Sequence, residues 1–167
     1  MKSDSIRIAN CSGFYGDKLS VARDMIEGGP IDVLTGDYLA ELTMTILYNQ
    51  RLKRGEQHGY VGTFLKQFRD IAKLAQEKNI KIVTNAGGLN PSSMAESVKE
   101  IIDELNLDLK VAHIEGDDLM PRIDELYQGG ESLTNIDKSL DLQKYEKKPI
   151  TANAYLGAWG IKEALDN

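Results

Sequence analysis

The stretch Ile80-Lys81-Ile82-Val83-Thr84-Asn85-Ala86-Gly87-Gly88-Leu89-Asn90-Pro91 decides the fold class of this 167-residue chain. Its first five residues are mostly apolar and β-branched, which is typical of a buried strand. Its last two residues are a favoured helix cap followed by a proline suited to the first helical position. A helix is predicted next because apolar side chains recur on one helical face, at Ala95, Val98, Ile101, Ile102 and Leu105.

Working outward from this unit, similar apolar runs recur along the chain. They are Ile6 to Ala9, Ile31 to Leu34 and Leu109 to Ile114. Helical patterns separate the runs, at about residues 17–27, 39–52 and 64–75, with another at about 156–165. Strands that alternate with helices predict right-handed crossovers. We therefore expect a single α/β domain over residues 1–167, with a mostly parallel open sheet, helices on both faces and Rossmann-like or flavodoxin-like layering.

Composition and charge exclude several classes of protein. The formal net charge of −6, without a basic patch, disfavours nucleic acid and anionic membranes as partners. No apolar run approaches the ~18 residues that a membrane span needs. The N-terminus, Met1 to Ser5, lacks the apolar region of a signal peptide, and the single cysteine, Cys11, forms no internal disulfide. These features predict a soluble cytoplasmic protein.

Polar, glycine-containing loops follow all four predicted strands. The carboxyl ends of parallel strands meet at one edge of a sheet, where ligands usually bind. We therefore expect a substrate site there. The candidate substrate-binding residues are Ser12, Gly13, Gly16, Gly36, Asn85, Gly87, Gly88, Asn90 and Asn153.

The loop Asn85 to Pro91 is the strongest candidate among them. Adjacent glycines permit a backbone that presents N–H groups to an anion at the start of a helix. The alternative is a tight strand-to-helix turn with an asparagine cap. The loop lacks the G-x-G-x-x-G pattern, and no acidic residue follows at the distance that would bind a ribose, so NAD is not predicted.

Acidic side chains also gather at the predicted strand exits. We expect Asp37, Glu41 or Asp117 to move a proton. Asp117 and Asp118 could instead hold Mg²⁺, because hard cations favour carboxylate oxygens, although helix capping and solvation are the competing explanation. The histidines lack ligand-like spacing, which disfavours zinc. The cofactor is otherwise unknown.

Residues 129–149 are polar and without a clear period, which predicts an excursion or mobile loop. After them, the helix near the C-terminus would normally lead into another strand. We therefore expect the chain to be the front part of a longer protein.

Several motifs in series strongly resemble the N-terminal domain of the acyclic terpene utilisation protein A family. They are Ser12 to Asp17, Asp32 to Glu41, Asn85 to Pro91 and Asn153 to Ala158. The resemblance implies a role beside biotin-dependent acyl-CoA carboxylases in the breakdown of acyclic terpenes and branched acids. It also implies a longer architecture than this chain.

Two functions are then compatible with the sequence. The first is a lyase, hydratase or enolising enzyme domain that binds an acyl-CoA or a related branched carboxylic acid. The second is a non-catalytic module that associates with an acyl-CoA carboxylase, with a C-terminal partner domain or with further copies of itself as a homo-oligomer. The absence of a catalytic triad, a Walker loop or a zinc motif favours the second.

Overall fold

The computed structural model describes residues 5–144 and 148–167, and residues 1–4 and 145–147 lie outside it, including Lys147 of the predicted polar excursion and most of the polar N-terminus. The strands are β1 (Ile8–Asn10), β2 (Val33–Gly36) and β3 (Lys81–Thr84). The helices are α1 (Val21–Gly28), α2 (Glu41–Arg54), α3 (Gly62–Glu77), α4 (Pro91–Glu104), α5 (Ile123–Gln128) and α6 (Trp159–Asp166). Among the described helices, none combines the length and the hydropathy needed to cross a membrane.

The three strands form an open parallel sheet in the order β1-β2-β3, which confirms the predicted α/β class. Ala9, Leu34 and Ile82 lie side by side across the sheet. Both connections step in the same direction, so right-handed crossovers place their helices on the same face. Accordingly, α1 packs against α3, and α3 packs against α4.

The core lies between this helical layer and the sheet. Leu34 on β2 is 1% exposed and clusters with Ile26 of α1 and Ile71 of α3. A second cluster extends beyond the ends of the strands and joins α2, α3 and α4 through Leu47, Phe64 and Val98. The loops after the strands are therefore anchored to packed helices.

The other face of the sheet is more open. Ile8 on β1 is 65% exposed and points away from the helix-covered side that holds Leu34. At the start of the strands, Arg7 donates through Nε and Nη2 to the two carboxylate oxygens of Asp32, and each donor–acceptor distance is 3.0 Å. These bonds hold the pKa of Asp32 at about 2, below its ordinary value.

The predicted fourth strand, Leu109 to Ile114, is wrong. These residues have no regular secondary structure and lie outside the sheet, and they form no ladder with β3 in the described structure. A strand exists only through pairing, and an apolar β-branched run does not specify its partner. Leu109 packs against the core cluster, whereas Val111 and Ile114 remain exposed.

An isolated antiparallel bridge connects the segments that precede and follow the predicted polar excursion. Asp118 and Asn153 form an antiparallel bridge, flanked by backbone hydrogen bonds from Leu119 to Ala152 and from Ala154 to Asp117. Among the described residues after Ile102, none is buried, so the C-terminal third has no core of its own. The sheet and helices α1–α4 therefore carry the stability of the chain.

Replacing Leu34 by alanine should lower the free energy of unfolding by about 2–5 kcal/mol, because it leaves a cavity between β2 and two helices. The matched control is Ile8→Ala on the same sheet, which should change it by less than about 1 kcal/mol. Urea denaturation followed by circular dichroism measures both. Equal losses would contradict the one-sided burial of the sheet.

Candidate functional site

The side chain of Asn85 joins the ends of β2 and β3. Its Oδ1 accepts a hydrogen bond from the backbone N–H of Tyr38 at 2.8 Å. Its Nδ2 donates to Oδ1 of Asp37 at 2.6 Å. Because both amide atoms are used, the orientation of Asn85 is fixed and the carboxylate of Asp37 is held beside it.

The end of β1 is tied to the same place. The backbone N–H of Asp37 donates to the carbonyl oxygen of Ser12 at 2.9 Å. Ser12 is buried, and its hydroxyl donates to the carbonyl oxygen of Phe14. The exits of three neighbouring strands thus meet at Ser12, Asp37 and Asn85. We call these three residues the exit junction.

Within the exit junction, Asp37 and Asn85 are exposed to solvent. Asp37 Oδ1 accepts from Asn85, while Oδ2 has no hydrogen-bond donor in the described structure. An ionised carboxylate is an acceptor only, so this free oxygen is suited to a ligand hydroxyl or to an acidic proton.

Two backbone N–H groups of the glycine loop after β1 are hydrogen-bonded to a side chain of the same loop. Oδ2 of Asp17 accepts from the backbone N–H groups of Gly13 at 2.6 Å and Phe14 at 3.3 Å. A side chain on Gly16 would collide with the ring of Phe14, only 2.6 Å from the Cβ position. The conformation of this loop is therefore explained by internal packing and by the carboxylate of Asp17.

Backbone N–H groups of the loop from Asn85 to Asn90 are also engaged in hydrogen bonds within the protein. The N–H groups of Gly88, Leu89 and Asn90 donate to backbone carbonyls. Asn90 caps α4 by accepting from the N–H of Ser93 at 3.1 Å. Anion binding at this loop stays a prediction, since these bonds take up three of its amides.

Close packing explains the paired glycines of this loop. Gly88 has a φ of +53°, and a Cβ there would lie 2.4 Å from Leu47 and 2.9 Å from the carbonyl oxygen of Gly59. A Cβ on Gly87 would lie within 3 Å of Pro91. Gly88 thus leaves room for Leu47 of α2, and Gly87 leaves room for Pro91 at the start of α4.

The remaining acidic candidates lie elsewhere in the hydrogen-bond network. Glu41 is exposed at the first residue of α2, so it shares no helix face with Asp37, which precedes the helix. Asp117 accepts from Nδ2 of Asn153 at 3.0 Å, and Asp118 accepts from the N–H of Met120. The described hydrogen bonds do not connect these residues to the exit junction.

Metal binding at Asp117 and Asp118 stays a prediction. Across residues 5–144 and 148–167, there is no group of three or more histidine, cysteine or acidic side chains placed to hold a metal ion. Asp118 accepts from a backbone N–H two residues further on, and Asp117 accepts from Asn153, so their hydrogen bonds have a structural explanation.

A comparison with protein families was decisive. The family described as "Acyclic terpene utilisation family protein AtuA" matches residues 6–167. The chain belongs to this AtuA family. This membership confirms the resemblance and connects the chain to acyclic terpene utilisation. Searches of curated proteins and of solved structures found no match.

The AtuA-family chain also holds a buried polar pair that sequence reasoning missed. The hydroxyl of Tyr38 donates to Oε1 of Gln67 on α3 at 2.6 Å, and both residues are buried. The ring of Tyr38 packs against Gly36, where a Cβ would lie 2.6 Å from it. Gln67 thus holds the residue that follows Asp37. The available signal was a glutamine on the apolar stripe of a helix, between Phe64 and Phe68.

Burial has a consistent effect on the ionisable groups behind the exit junction. The pKa of the Tyr38 hydroxyl is raised above its ordinary value, mainly by desolvation. Desolvation likewise raises the pKa of the Cys11 thiol, whose Sγ lies 3.9 Å from that hydroxyl. Both groups are neutral near pH 7, and Cys11 is unsuited to nucleophilic attack.

A double-mutant cycle should detect the buried pair. Tyr38→Phe leaves Gln67 Oε1 without its donor, and Gln67→Leu leaves the hydroxyl without its acceptor, so each should cost about 1–3 kcal/mol. The double variant should lose less than the sum by about 1 kcal/mol. Denaturant unfolding measures all three, with Gln57→Leu as a control for an exposed glutamine. Additive losses would show that the pair is not coupled.

Proposed function

We propose that this AtuA-family chain contributes to acyclic terpene breakdown by binding a branched acyl-CoA, or a related branched acid, at the carboxyl edge of its sheet. The observation that carries the proposal is the exit junction. It brings three strand ends together and leaves one oxygen of the Asp37 carboxylate free. A carboxylate held in place can act as a general base when the substrate proton lies within hydrogen-bond reach.

Apolar surface near the junction supports an acyl ligand. Phe14 in the loop after β1 and Leu42 in the first turn of α2 are both large, exposed apolar side chains. They lie in the segments that follow β1 and β2, close in sequence to Ser12 and Asp37. A hydrocarbon chain resting on these residues would bury apolar area on both sides.

The chemistry proposed for the site is removal of a proton from the carbon next to the thioester carbonyl. The free oxygen of Asp37 takes the proton, and the electron pair moves into the carbonyl to form an enolate. Asn85 holds the base in place through its Nδ2 bond. This step is common to lyase, hydratase and enolisation reactions, and Mg²⁺ bound to the substrate would favour it by stabilising the enolate.

A second candidate is a non-catalytic module that docks on an acyl-CoA carboxylase or on another protein. It is favoured by the C-terminal third, where Trp159 is 82% exposed and Tyr155 and Ile136 are also fully open to solvent. Large exposed apolar side chains in one region are typical of protein interfaces. In either role we place the protein in the cytoplasm, where its buried single cysteine stays reduced.

The enzymatic proposal predicts exchange of the substrate α-proton. In D₂O, the protein should catalyse the incorporation of deuterium into a branched acyl-CoA at the carbon next to the thioester carbonyl. The loss of the α-proton signal is followed by ¹H NMR, with and without added Mg²⁺. Asp37→Asn should slow the exchange by about 10²–10⁴-fold, because the amide is not a base. Asp103→Asn, an exposed acid on α4, is the matched control and should exchange normally.

A thermal-shift titration with the same thioester separates the two candidates. An increased melting temperature without exchange would support binding alone. Exchange at equal rates in Asp37→Asn and the unaltered protein would remove Asp37 from the reaction. If the protein shows no binding and no exchange, the acyl-CoA proposal is contradicted and the docking module is the remaining candidate.

A further inference from the structure

The groove between α3 and α4 is separate from the exit junction. It is an open groove of about 350 Å³ whose apolar lining includes Leu65 and Ile101. Lys66 and Arg69 line the α3 side, while Glu100 and Glu104 line the α4 side. One side of the groove is therefore basic and the other acidic.

The two charged sides continue as stripes along their helices. Lys66, Arg69 and Lys73 lie at helical spacing on α3, and all three are exposed. Glu96, Glu100 and Glu104 lie four residues apart on α4, and all three are exposed as well. The charges thus form parallel stripes of opposite sign.

Only part of this charge is neutralised within the chain. Arg69 and Glu104 form an ion pair of 2.6 Å across the groove. In the described part of the chain, Lys66 and Glu100 take part in no ion pair. Within the described residues, the groove therefore has an unpaired positive charge at Lys66 on one side and an unpaired negative charge at Glu100 on the other, and both can bind a partner.

We propose that the occupant of this groove is a second copy of the chain. A two-fold axis running along the groove would set the basic stripe of one copy against the acidic stripe of the other, twice over. A two-fold axis across the groove would oppose like charges instead. The surface is thus self-complementary in one orientation, as an isologous interface requires.

The charges of the groove lead to a specific salt dependence. Exposed ion pairs are individually weak, at about 0–1 kcal/mol, and salt screens them. Sedimentation velocity should show concentration-dependent dimers at low ionic strength. Raising the salt to about 1 M, where the Debye length is about 3 Å, should shift the population towards monomers.

Charge reversal provides the decisive test. The variant Lys66→Glu/Arg69→Glu has an all-acidic groove, and Glu100→Lys/Glu104→Lys has an all-basic groove. Each should be monomeric alone, with a dissociation constant raised at least about tenfold, and an equimolar mixture should form heterodimers. Lys99→Glu is exposed on α4 and outside the groove, so it should dimerise as the unaltered chain does.

Heterodimers in the mixture also show that both reversed chains are folded. An unaltered chain that is monomeric at every concentration and at low salt would overturn the proposal and leave the groove to another occupant. Dimers that survive both reversals would overturn it by placing the interface elsewhere. Reversed chains that fold by circular dichroism but do not pair when mixed would overturn it as well.

Discussion

The side-chain amide of Asn85 is the interaction on which the edge of this sheet depends. Parallel strands end together, and their last backbone groups need partners after the ladder stops. Asn85 supplies one by accepting from the N–H of the buried Tyr38, and it uses its remaining donor on Asp37. One side chain therefore links the end of β3 both to the backbone after β2 and to the carboxylate proposed as the base.

The helical layer supports this edge from behind. Gln67 holds the hydroxyl of Tyr38, and α3, which carries Gln67, packs against α1 and α4. Gly88 leaves room for Leu47 of α2, and Gly87 leaves room for Pro91 at the start of α4. A polar junction that faces solvent is thus fixed by packing, which lowers the cost of ordering it when a ligand binds.

Much of the fold followed from sequence periodicity. The runs at Ile31 to Leu34 and Ile80 to Thr84 predicted the parallel strands β2 and β3, and the Asn90-Pro91 pair predicted the start of α4. The run at Leu109 to Ile114 has a similar composition but is not a strand in the described structure. An apolar composition does not specify which neighbouring strand a segment pairs with, and a strand forms only through that pairing.

The candidate site was predicted in part for the same reason. The position of Asn85 and Asp37 at a strand exit could be read from the sequence, whereas their direct hydrogen bond depends on the tertiary arrangement. Asp17 and Asn90 satisfy loop amides that the glycine pattern alone left open to an anion. Gln67 was missed because one polar residue in an apolar stripe gives no indication of its partner.

The most direct test of this account is an amide chemical-shift map of the chain with a branched acyl-CoA. A ligand at the exit junction should perturb the ¹H–¹⁵N signals of residues 12–17, 36–42 and 85–88, and leave those of α3 and α4 beside the charged groove unchanged. Perturbations confined to the C-terminal third or to the groove would contradict a binding site at the carboxyl edge of the sheet.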